Sequence, residues 1–341
     1  MAKVVLDAVG GDHAPAEAIR GVALALQRGY LQPSDLILTG PVQVVKDALA
    51  AENLGAAGIA VVDAPDMLAE GDSPMDALRK KPRNSIAVGM HLVKEGKAQS
   101  FISAGSTGTV VAAATVGLRC LEGIRRPGIA AIIHGEKNPF LVMDVGANPM
   151  PKSRHLLEYA VMGSAYYEHT FGVPQPRVGL LNIGSEEMKG NPLVKEARAL
   201  IKETALNFAG NVEGVELFSG NCHVVITDGF TGNVLLKSSE GVAEYMLRLV
   251  VGAMHKVGVP KELVGKVLAE VMPRVDYSEY GGALLLGVEG IVTICHGRSQ
   301  APAFCNAIRF AMKALSGNVN QHIVQFAKTL AVEGEGAPAA S

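Results

Sequence analysis

Short apolar runs alternate along the chain with longer stretches in which apolar residues recur at helical spacing. The runs that predict buried strands are Val4–Val9, Leu36–Thr39, Ile59–Asp63, Phe101–Ala104, Ile129–Ile133, Leu141–Val145, Val178–Ile183, Val224–Thr227 and Ile291–Ile294. The stretches that predict helices include Ala16–Gln27, His155–Glu168, Leu193–Asn207 and Gly232–Val251. Because the apolar runs lack strict alternation, we expect strands covered on both faces. This order predicts a Rossmann-like α/β fold, with a mainly parallel sheet between two layers of helices.

We find no internal repeat and no Pro/Ser-rich linker, so we expect residues 1–331 to form a single three-layer α/β/α domain. Residues 332–341 are rich in Gly, Ala, Pro and Glu and are predicted to be disordered. A helical excursion is predicted at about 246–275, where six apolar residues form one stripe: Leu263, Val264, Val267, Leu268, Val271 and Met272. The stripe fits a helix packed against the sheet or a dimer mate. It also fits a surface for an acidic partner or lipid headgroups.

Composition excludes several classes of protein. Apolar residues make up 48% of the 341 residues, which is enough for a core, so a disordered chain is excluded. The formal net charge of -2, the 5% aromatic content and the absence of Trp argue against nucleic-acid binding. The four cysteines show neither CxxC nor zinc-ligand spacing, so we expect reduced thiols and no metal site.

The location of the protein is predicted from what its sequence lacks. The N-terminus follows a strand pattern without the apolar core of a signal peptide, and no apolar run reaches the ~18 residues of a membrane span. We therefore expect a cytoplasmic protein, with peripheral contact at the inner face of the cell membrane left open.

Glycine-rich turns follow several of the predicted strands. In Asp7–Pro15, Gly10 and Gly11 allow backbone N–H groups to face an anion. Asp12 there is interpreted as a helix cap or an anion-site residue, and His13 as a structural loop residue or a proton carrier. The turn Ser103–Gly108 adds the small residues Ser106, Thr107 and Gly108 at a helix start, an arrangement suited to phosphate.

Further strand ends carry polar side chains. They are Asp144–Asn148, ending on Asn148; Asn182–Asn191, which contains Lys189; Thr227–Asn233, which contains Asp228, Thr231 and Asn233; Asp276–Ala283; and Cys295–Ser299. Because parallel sheets bind ligands at the carboxyl ends of strands, we expect these turns to meet in one crevice. The Walker, G-x-S-x-G and first-strand G-x-G-x-x-G motifs are missing.

The sequence and order of these motifs resemble the bacterial phosphate acyltransferase family, from about Val5 to Ala331. The resemblance implies that an acyl group moves from acyl carrier protein to inorganic phosphate, giving acyl phosphate for phospholipid synthesis. It also implies a homodimer similar in fold to phosphate acetyltransferases and isopropylmalate-type dehydrogenases. No cofactor is implied. A functional link to a membrane glycerol-3-phosphate acyltransferase is expected.

For such a reaction phosphate is itself the nucleophile, so the protein must position one anion and stabilise an oxyanion. We assign the main transition-state roles to Lys189 and Asn233, with His13 in a secondary catalytic role. The phosphate and substrate contacts are assigned to Gly10, Gly11, Asp12, Ser106, Thr107, Gly108, Asn148, Asp228 and Thr231. The carrier is acidic, so docking is assigned to basic residues: Arg79, Lys80, Lys81, Lys256, Lys261 and Lys266.

Three alternatives stay open at the level of sequence. The first is phosphate acetyltransfer from acetyl-CoA, which shares the phosphate chemistry and differs in the donor. The second is a nicotinamide-dependent dehydrogenase on a related layered fold. The third is a non-catalytic scaffold that binds acyl carrier protein or a membrane surface through Met246–Arg274.

Overall fold

A computed structural model describes residues 3–69, 71–275 and 277–334. The strands are β1 (Val4–Asp7), β2 (Leu36–Gly40), β3 (Ala60–Asp63), β4 (Ser100–Ser103), β5 (Gly128–Ile133), β6 (Phe140–Met143), β7 (Val178–Asn182), β8 (Phe208–Glu213), β9 (Val224–Ile226), β10 (Ala283–Leu286) and β11 (Ile291–Ile294). The helices are α1 (Ala16–Gln27), α2 (Val42–Ala51), α3 (Pro74–Lys80), α4 (Ser85–Lys94), α5 (Thr107–Gly117), α6 (Ser153–Phe171), α7 (Pro192–Lys202), α8 (Gly229–Lys256), α9 (Lys261–Val275), α10 (Ala301–Ser316) and α11 (Val319–Gly334).

The strands form one 11-stranded sheet in the order β3-β2-β1-β4-β11-β10-β5-β6-β9-β7-β8. Three neighbouring pairs at the centre, β11–β10, β10–β5 and β5–β6, are antiparallel, and the other described pairs are parallel. The odd number of reversals turns the second half of the sheet around. Strands β6, β9, β7 and β8 therefore run opposite to β1, β2, β3 and β4.

Two apolar clusters lie on the two faces of the sheet, because successive side chains of a strand point to opposite faces. Val4 and Leu6 of β1 enter the cluster covered by α1, α6, α7, α10 and α11, while Val5 enters the cluster covered by α4 and α5. The fold class predicted from the sequence, a mainly parallel sheet between helical layers, is confirmed.

Each predicted strand is present, and the prediction missed β8 and β10. Strand β8 contains Ala209, Gly210 and Asn211, which weaken the apolar signal, and it lies at the edge of the sheet. Strand β10 directly follows the pair Gly281-Gly282 and is four residues long, so its pattern merges with the preceding turn.

Helix α8 runs from Gly229 to Lys256, so it contains the predicted helix Gly232–Val251 and the first part of the predicted excursion, and α9 forms the second part. In the predicted stripe Val264 is buried, whereas Leu263 and Val267 are exposed in the described chain. Met272 of the stripe is exposed as well. Further exposed apolar side chains are Val242, Tyr245, Met246, Leu249 and Val250 of α8, and Val257 directly after it.

The predicted tail falls partly outside the described residues. Helix α11 continues to Gly334, and residues 335–341 are not described. Among the described helices, none combines the length and apolar character needed to cross a membrane.

Candidate active site in the cleft beside helix α8

Three glycine-rich turns contact one another where β1, β4 and β11 end. A side chain at Gly10 would collide with the Asp7 carboxylate and come within 2.8 Å of the Gly105 nitrogen. Gly11 has a φ of +104° and lies where a Cβ would be 3.1 Å from the Gly297 oxygen. Glycine is therefore needed at both positions, because the turns approach more closely than a side chain allows.

The buried carboxylate of Asp7 holds two of these turns together. It accepts hydrogen bonds from the Ser103 hydroxyl at 2.7 Å and from the Val9 N–H at 3.1 Å. The Ser103 oxygen in turn accepts the N–H of Gly105 at 2.9 Å. Burial raises the pKa of Asp7, and these hydrogen bonds oppose the rise. The motif that begins at Asp7 is thus explained first by the packing of the turns.

A second set of turns packs together after β6 and β9, around Asp144. Its buried carboxylate accepts the N–H groups of Ile129, Gly146, Ala147 and Asn148 at 2.7–3.1 Å. The first turn of α8 packs onto this loop, and a side chain at Gly232 would collide with the Asp144 carbonyl. The turn therefore fixes the position at which α8 begins.

The two sets of turns lie at opposite edges of the sheet, which corrects the expectation that the strand ends share one edge. The central antiparallel pairs reverse the direction of β6 and β9 relative to β1 and β4. The sequence pattern does not reveal these reversals, because it does not predict β10, and β10 takes part in two of the three antiparallel pairs.

A cleft of about 340 Å³ nevertheless connects residues from both sets across one face of β5, β10 and β11. Thr107 and Gly108 line it from the start of α5, Gly146 from the loop after β6, and Asn233 from α8. The predicted residues Thr107, Gly108 and Asn233 therefore meet in one cavity, which lies on the face of the sheet.

The N-terminus of α5 opens into this cleft with unsatisfied donors. The first N–H groups of a helix have no intrahelical partner, and the described Ser106 side chain makes no capping hydrogen bond to them. Thr107 and Gly108 are exposed at this end. The partial positive charge of the helix terminus makes the position favourable for an anion.

Helix α8 presents Asn233, Lys237 and Glu240 to the cleft. These residues are four and three positions apart, so they share one face of the helix. The Lys237 ammonium donates to the Glu240 carboxylate at 3.0 Å. The side chain of Glu240 is 11% exposed and that of Lys237 is 49% exposed, so the ammonium is the more accessible charge.

His296 completes the described wall of the cleft. Burial, followed by the charge of Lys237, lowers its pKa below 6.5, so the ring is neutral at pH 7. Its Nδ1 accepts the Arg298 N–H at 3.2 Å, so the neutral ring carries its proton on Nε2. Asp12 is close by, since its N–H donates to the Gly297 oxygen at 2.8 Å.

Several predicted residues have structural partners at their strand ends. The Asn148 amide donates to the Pro127 oxygen and to the Tyr159 hydroxyl, both at 2.7 Å. Asp228 caps α8 by accepting the Thr231 N–H at 2.8 Å and the Thr231 hydroxyl at 2.7 Å. These contacts explain the three residues without a ligand, and a direct substrate contact for them stays a prediction.

Two predicted catalytic residues lie outside the lining of the cleft. Exposed His13 faces a separate shallow hollow with Glu17 and Gln300. Exposed Lys189 is on the loop after β7, where its carbonyl accepts the Asn182 amide at 3.1 Å. Because β7 and β9 are parallel neighbours, this loop lies at the same edge as the start of α8.

The predicted docking residues form two separate groups. Arg79 and Lys80 pair with Asp76, and Lys81 pairs with Asp72, on a helix that packs against α5. Lys256, Lys261 and Lys266 lie at the other end of α8 and on α9. Lys256 is 19 residues beyond Lys237, which is about 28 Å along a helix axis.

Sequence reasoning did not assign roles to Lys237 and His296. Both lie within or just after glycine-rich turns, but the spacing along the chain does not show that the two turns meet. Among the described residues there is no group of three or more His, Cys, Asp or Glu side chains that could hold a metal ion.

Comparison with known proteins agrees with this architecture. A phosphotransacetylase from Streptococcus pyogenes matches the fold with a TM-score of 0.62 at 18% identity, covering 92% of this chain and 94% of that one. A branched-chain phosphotransacylase from Enterococcus faecalis V583 matches with a TM-score of 0.56 at 17% identity, covering 93% and 100%. The fold is therefore that of the phosphotransacylases.

Sequence similarity narrows the assignment. The family model described as "Fatty acid synthesis protein" matches residues 2–322. A phosphate acyltransferase from Pelotomaculum thermopropionicum is 40% identical over 339 residues, covering 98% of this chain and 97% of that protein. Another from Heliobacterium modesticaldum is 42% identical over 329 residues, covering 94% and 97%. The chain belongs to the phosphate acyltransferase family, which confirms the resemblance found in its sequence.

Proposed function

We propose that this enzyme transfers the acyl group of an acyl-carrier-protein thioester to inorganic phosphate. The observation that carries the proposal is the cleft in which the open N-terminus of α5 faces Asn233 and Lys237 of α8. The family model that matches the chain is described as "Fatty acid synthesis protein", which supports a long acyl chain as the group transferred. The acyl phosphate would feed phospholipid synthesis through a membrane glycerol-3-phosphate acyltransferase.

Phosphate binds between α5 and α8 in this proposal. The N–H groups of Thr107 and Gly108 donate to two of its oxygens, and the Lys237 ammonium balances its charge. Ser106 is exposed at the same helix start and adds a hydroxyl. Gly10, Gly11 and Asp12 support this wall through the contacts of their turn with Gly105 and Gly297.

An oxygen of hydrogen phosphate attacks the thioester carbonyl, forming a C–O bond and a tetrahedral oxyanion. The Asn233 amide donates to this oxyanion, and preorganised donors of this kind contribute about 10²–10³ in turnover. The C–S bond then breaks, and the proton carried by hydrogen phosphate ends on the departing sulfur. The neutral His296 ring donates its Nε2 proton in a hydrogen bond that orients phosphate or sulfur.

Lys189 approaches the same cleft from the loop after β7. The support is topological, because β7 lies beside β9 and the loop therefore flanks the start of α8. His13 faces a separate hollow, so its secondary role of helping to pass the phosphate proton to sulfur stays a prediction.

The acidic carrier docks on basic residues beside the cleft. Arg79, Lys80 and Lys81 belong to the helical segment packed on α5, which places them near the phosphate end of the site. Lys256, Lys261 and Lys266 form the more distant basic group. A rise in salt concentration raises the KM for the carrier substrate if these charges guide docking, and an unchanged KM contradicts this mode.

The functional unit in this proposal is a homodimer. Helices α8 and α9 expose Tyr245, Met246, Leu249 and Leu263 in the described chain, and such a concentration of exposed apolar side chains supports an interaction surface. Sedimentation analysis tests the dimer, and vesicle flotation tests peripheral membrane contact of the same surface. We also propose a location in the cytoplasm, at the inner face of the cell membrane.

The test of the reaction uses hydroxylamine, which converts acyl phosphate to a stable hydroxamate. Purified protein is mixed with phosphate and either palmitoyl-carrier or acetyl-CoA, and hydroxamate is measured for each donor. Product from palmitoyl-carrier with little from acetyl-CoA supports the proposal. The reverse preference supports phosphate acetyltransfer, and product with neither donor contradicts acyl transfer to phosphate.

A further inference from the structure

A second cavity of about 540 Å³ adjoins the cleft beneath α8. The two share Ile132, Leu236 and Glu240 in their walls, so they adjoin each other across these three residues. The second cavity is lined mainly by apolar side chains from β5, α8 and the segment before β9, and the charged residues Glu240 and Arg274 also lie in its wall. Its volume lies within the ~300–1,000 Å³ typical of small-molecule sites.

Helix α8 separates polar from apolar chemistry along its length. Asn233, Lys237 and Glu240 line the cleft, and Leu235, Ser239 and Val242 line the second cavity, with Glu240 also in the wall that the two share. Both sets have the spacing i, i+4, i+7, so each forms a line along the helix, and the two lines are adjacent. A molecule with a polar reacting end and an apolar body fits this pair of cavities.

Aromatic side chains border the second cavity away from the shared wall. The rings of His134 and Tyr280 are 4.9 Å apart, and Phe218 packs edge-on against Phe140 with ring centroids 5.6 Å apart. Burial lowers the pKa of His134, so this ring is neutral at pH 7. The aromatic rings at this end are uncharged, and the Arg274 side chain lies in the same wall, close enough for its charge to act on His134.

We propose that this cavity binds the acyl chain of the thioester, and that the group Phe218, His134 and Tyr280 sets the longest chain accepted. The inference rests on the proposed function for the identity of the occupant. With the carbonyl beside Asn233, the chain runs past Leu236 along α8. Each methylene buried in an apolar site adds about fourfold to binding. We therefore expect kcat/KM to rise by about that factor per methylene until the chain reaches the aromatic end.

Ser239→Phe tests the assignment, because its ring enters the cavity from α8. Ser238→Phe is the matched control, since Ser238 is the neighbouring exposed residue on the same helix. We expect Ser239→Phe to lower kcat/KM for palmitoyl-carrier about tenfold or more and for butyryl-carrier less than about twofold. Ser238→Phe should leave both values near the wild type. An equal loss for both chain lengths, or an unchanged long-chain preference, overturns the proposal.

A binding measurement separates this inference from the reaction itself. The fluorescent C18 polyene cis-parinaric acid is titrated into each folded protein without phosphate or carrier. We expect wild type and Ser238→Phe to bind it and Ser239→Phe to bind at least about tenfold more weakly. If no acyl phosphate forms but this difference persists, the reaction is wrong and the chain site stands. If acyl phosphate forms and Ser239→Phe binds the probe normally, the chain site is wrong.

Discussion

Asn233 gives the sharpest separation of activity from stability in this site. Its amide lies in the cleft, and none of the described residues accepts a hydrogen bond from it. It is the fifth residue of α8 and is exposed. Asn233→Ala therefore removes a donor aimed at the site without breaking a described contact of the fold.

The expected effects on turnover and stability have opposite signs. Loss of one oxyanion donor lowers turnover about 10²–10³-fold, equivalent to about 3–4 kcal/mol. Alanine has the higher helix propensity, so the free energy of unfolding stays equal or rises by about 0.5 kcal/mol. Asn233→Asp adds repulsion of phosphate: at ~4 Å and a dielectric of ~40, each pair of unit charges contributes about 2 kcal/mol. We expect this second variant to lose measurable activity.

The assay measures acyl phosphate by hydroxylamine trapping and stability by urea unfolding, on the same protein preparations. Asn148→Ala serves as a contrast, because Asn148 donates to Pro127 and Tyr159 and its loss should reduce stability. If Asn233→Ala keeps turnover within about threefold of wild type while folded, Asn233 is not an oxyanion donor.

Three further predictions concern charge, pH and packing. Lys237→Met should raise the KM for phosphate about 30-fold, since the exposed ammonium at ~4 Å from a dianion contributes about 2 kcal/mol at a dielectric of ~80; an unchanged KM contradicts this. Because burial lowers the pKa of His296, the ring becomes charged only below pH 6.5; at a constant concentration of hydrogen phosphate, the pH–rate profile of the wild type should change below that pH and that of His296→Gln should stay flat, and identical profiles would contradict a role for the ring. Gly281→Ala should cost about 3 kcal/mol by urea unfolding, because its Cβ would enter the backbone of Ala307 at a φ of +75°. Gly258→Ala, with φ +81° and open space, should cost about 1 kcal/mol, and equal losses would show that the contact is not the cause.

The periodicity of the sequence predicts the strands well where Val, Ile and Leu dominate. Helix α1 agrees with its predicted bounds, Ala16–Gln27, because Pro15 and the polar residue Arg28 flank a regular stripe. Strand β10 was missed because its four residues follow Gly281 and Gly282. This omission matters, since β10 takes part in the reversal that moves the site from the edge of the sheet to its face.

The sequence predicts an anion site built from glycine-rich turns, but it predicts only some of the residues that line the cleft. The glycine-rich turns pointed to Thr107, Gly108 and Asn233, which the structure brings into one cleft. The folded structure adds Lys237 and His296 to the residues that line the cleft. The sequence does not show this, because the two residues lie far apart along the chain. Spacing along the sequence also could not show that Asp144 and Asn148 serve the packing of turns.

In the proposed reaction, phosphate attacks the thioester directly. Release of carrier thiol and formation of acyl phosphate can be followed in one reaction, with and without phosphate. We predict that thiol release requires phosphate and equals acyl phosphate in amount at every time point. A stoichiometric burst of thiol before phosphate is added would reveal an acyl-enzyme intermediate and rule out direct attack by phosphate.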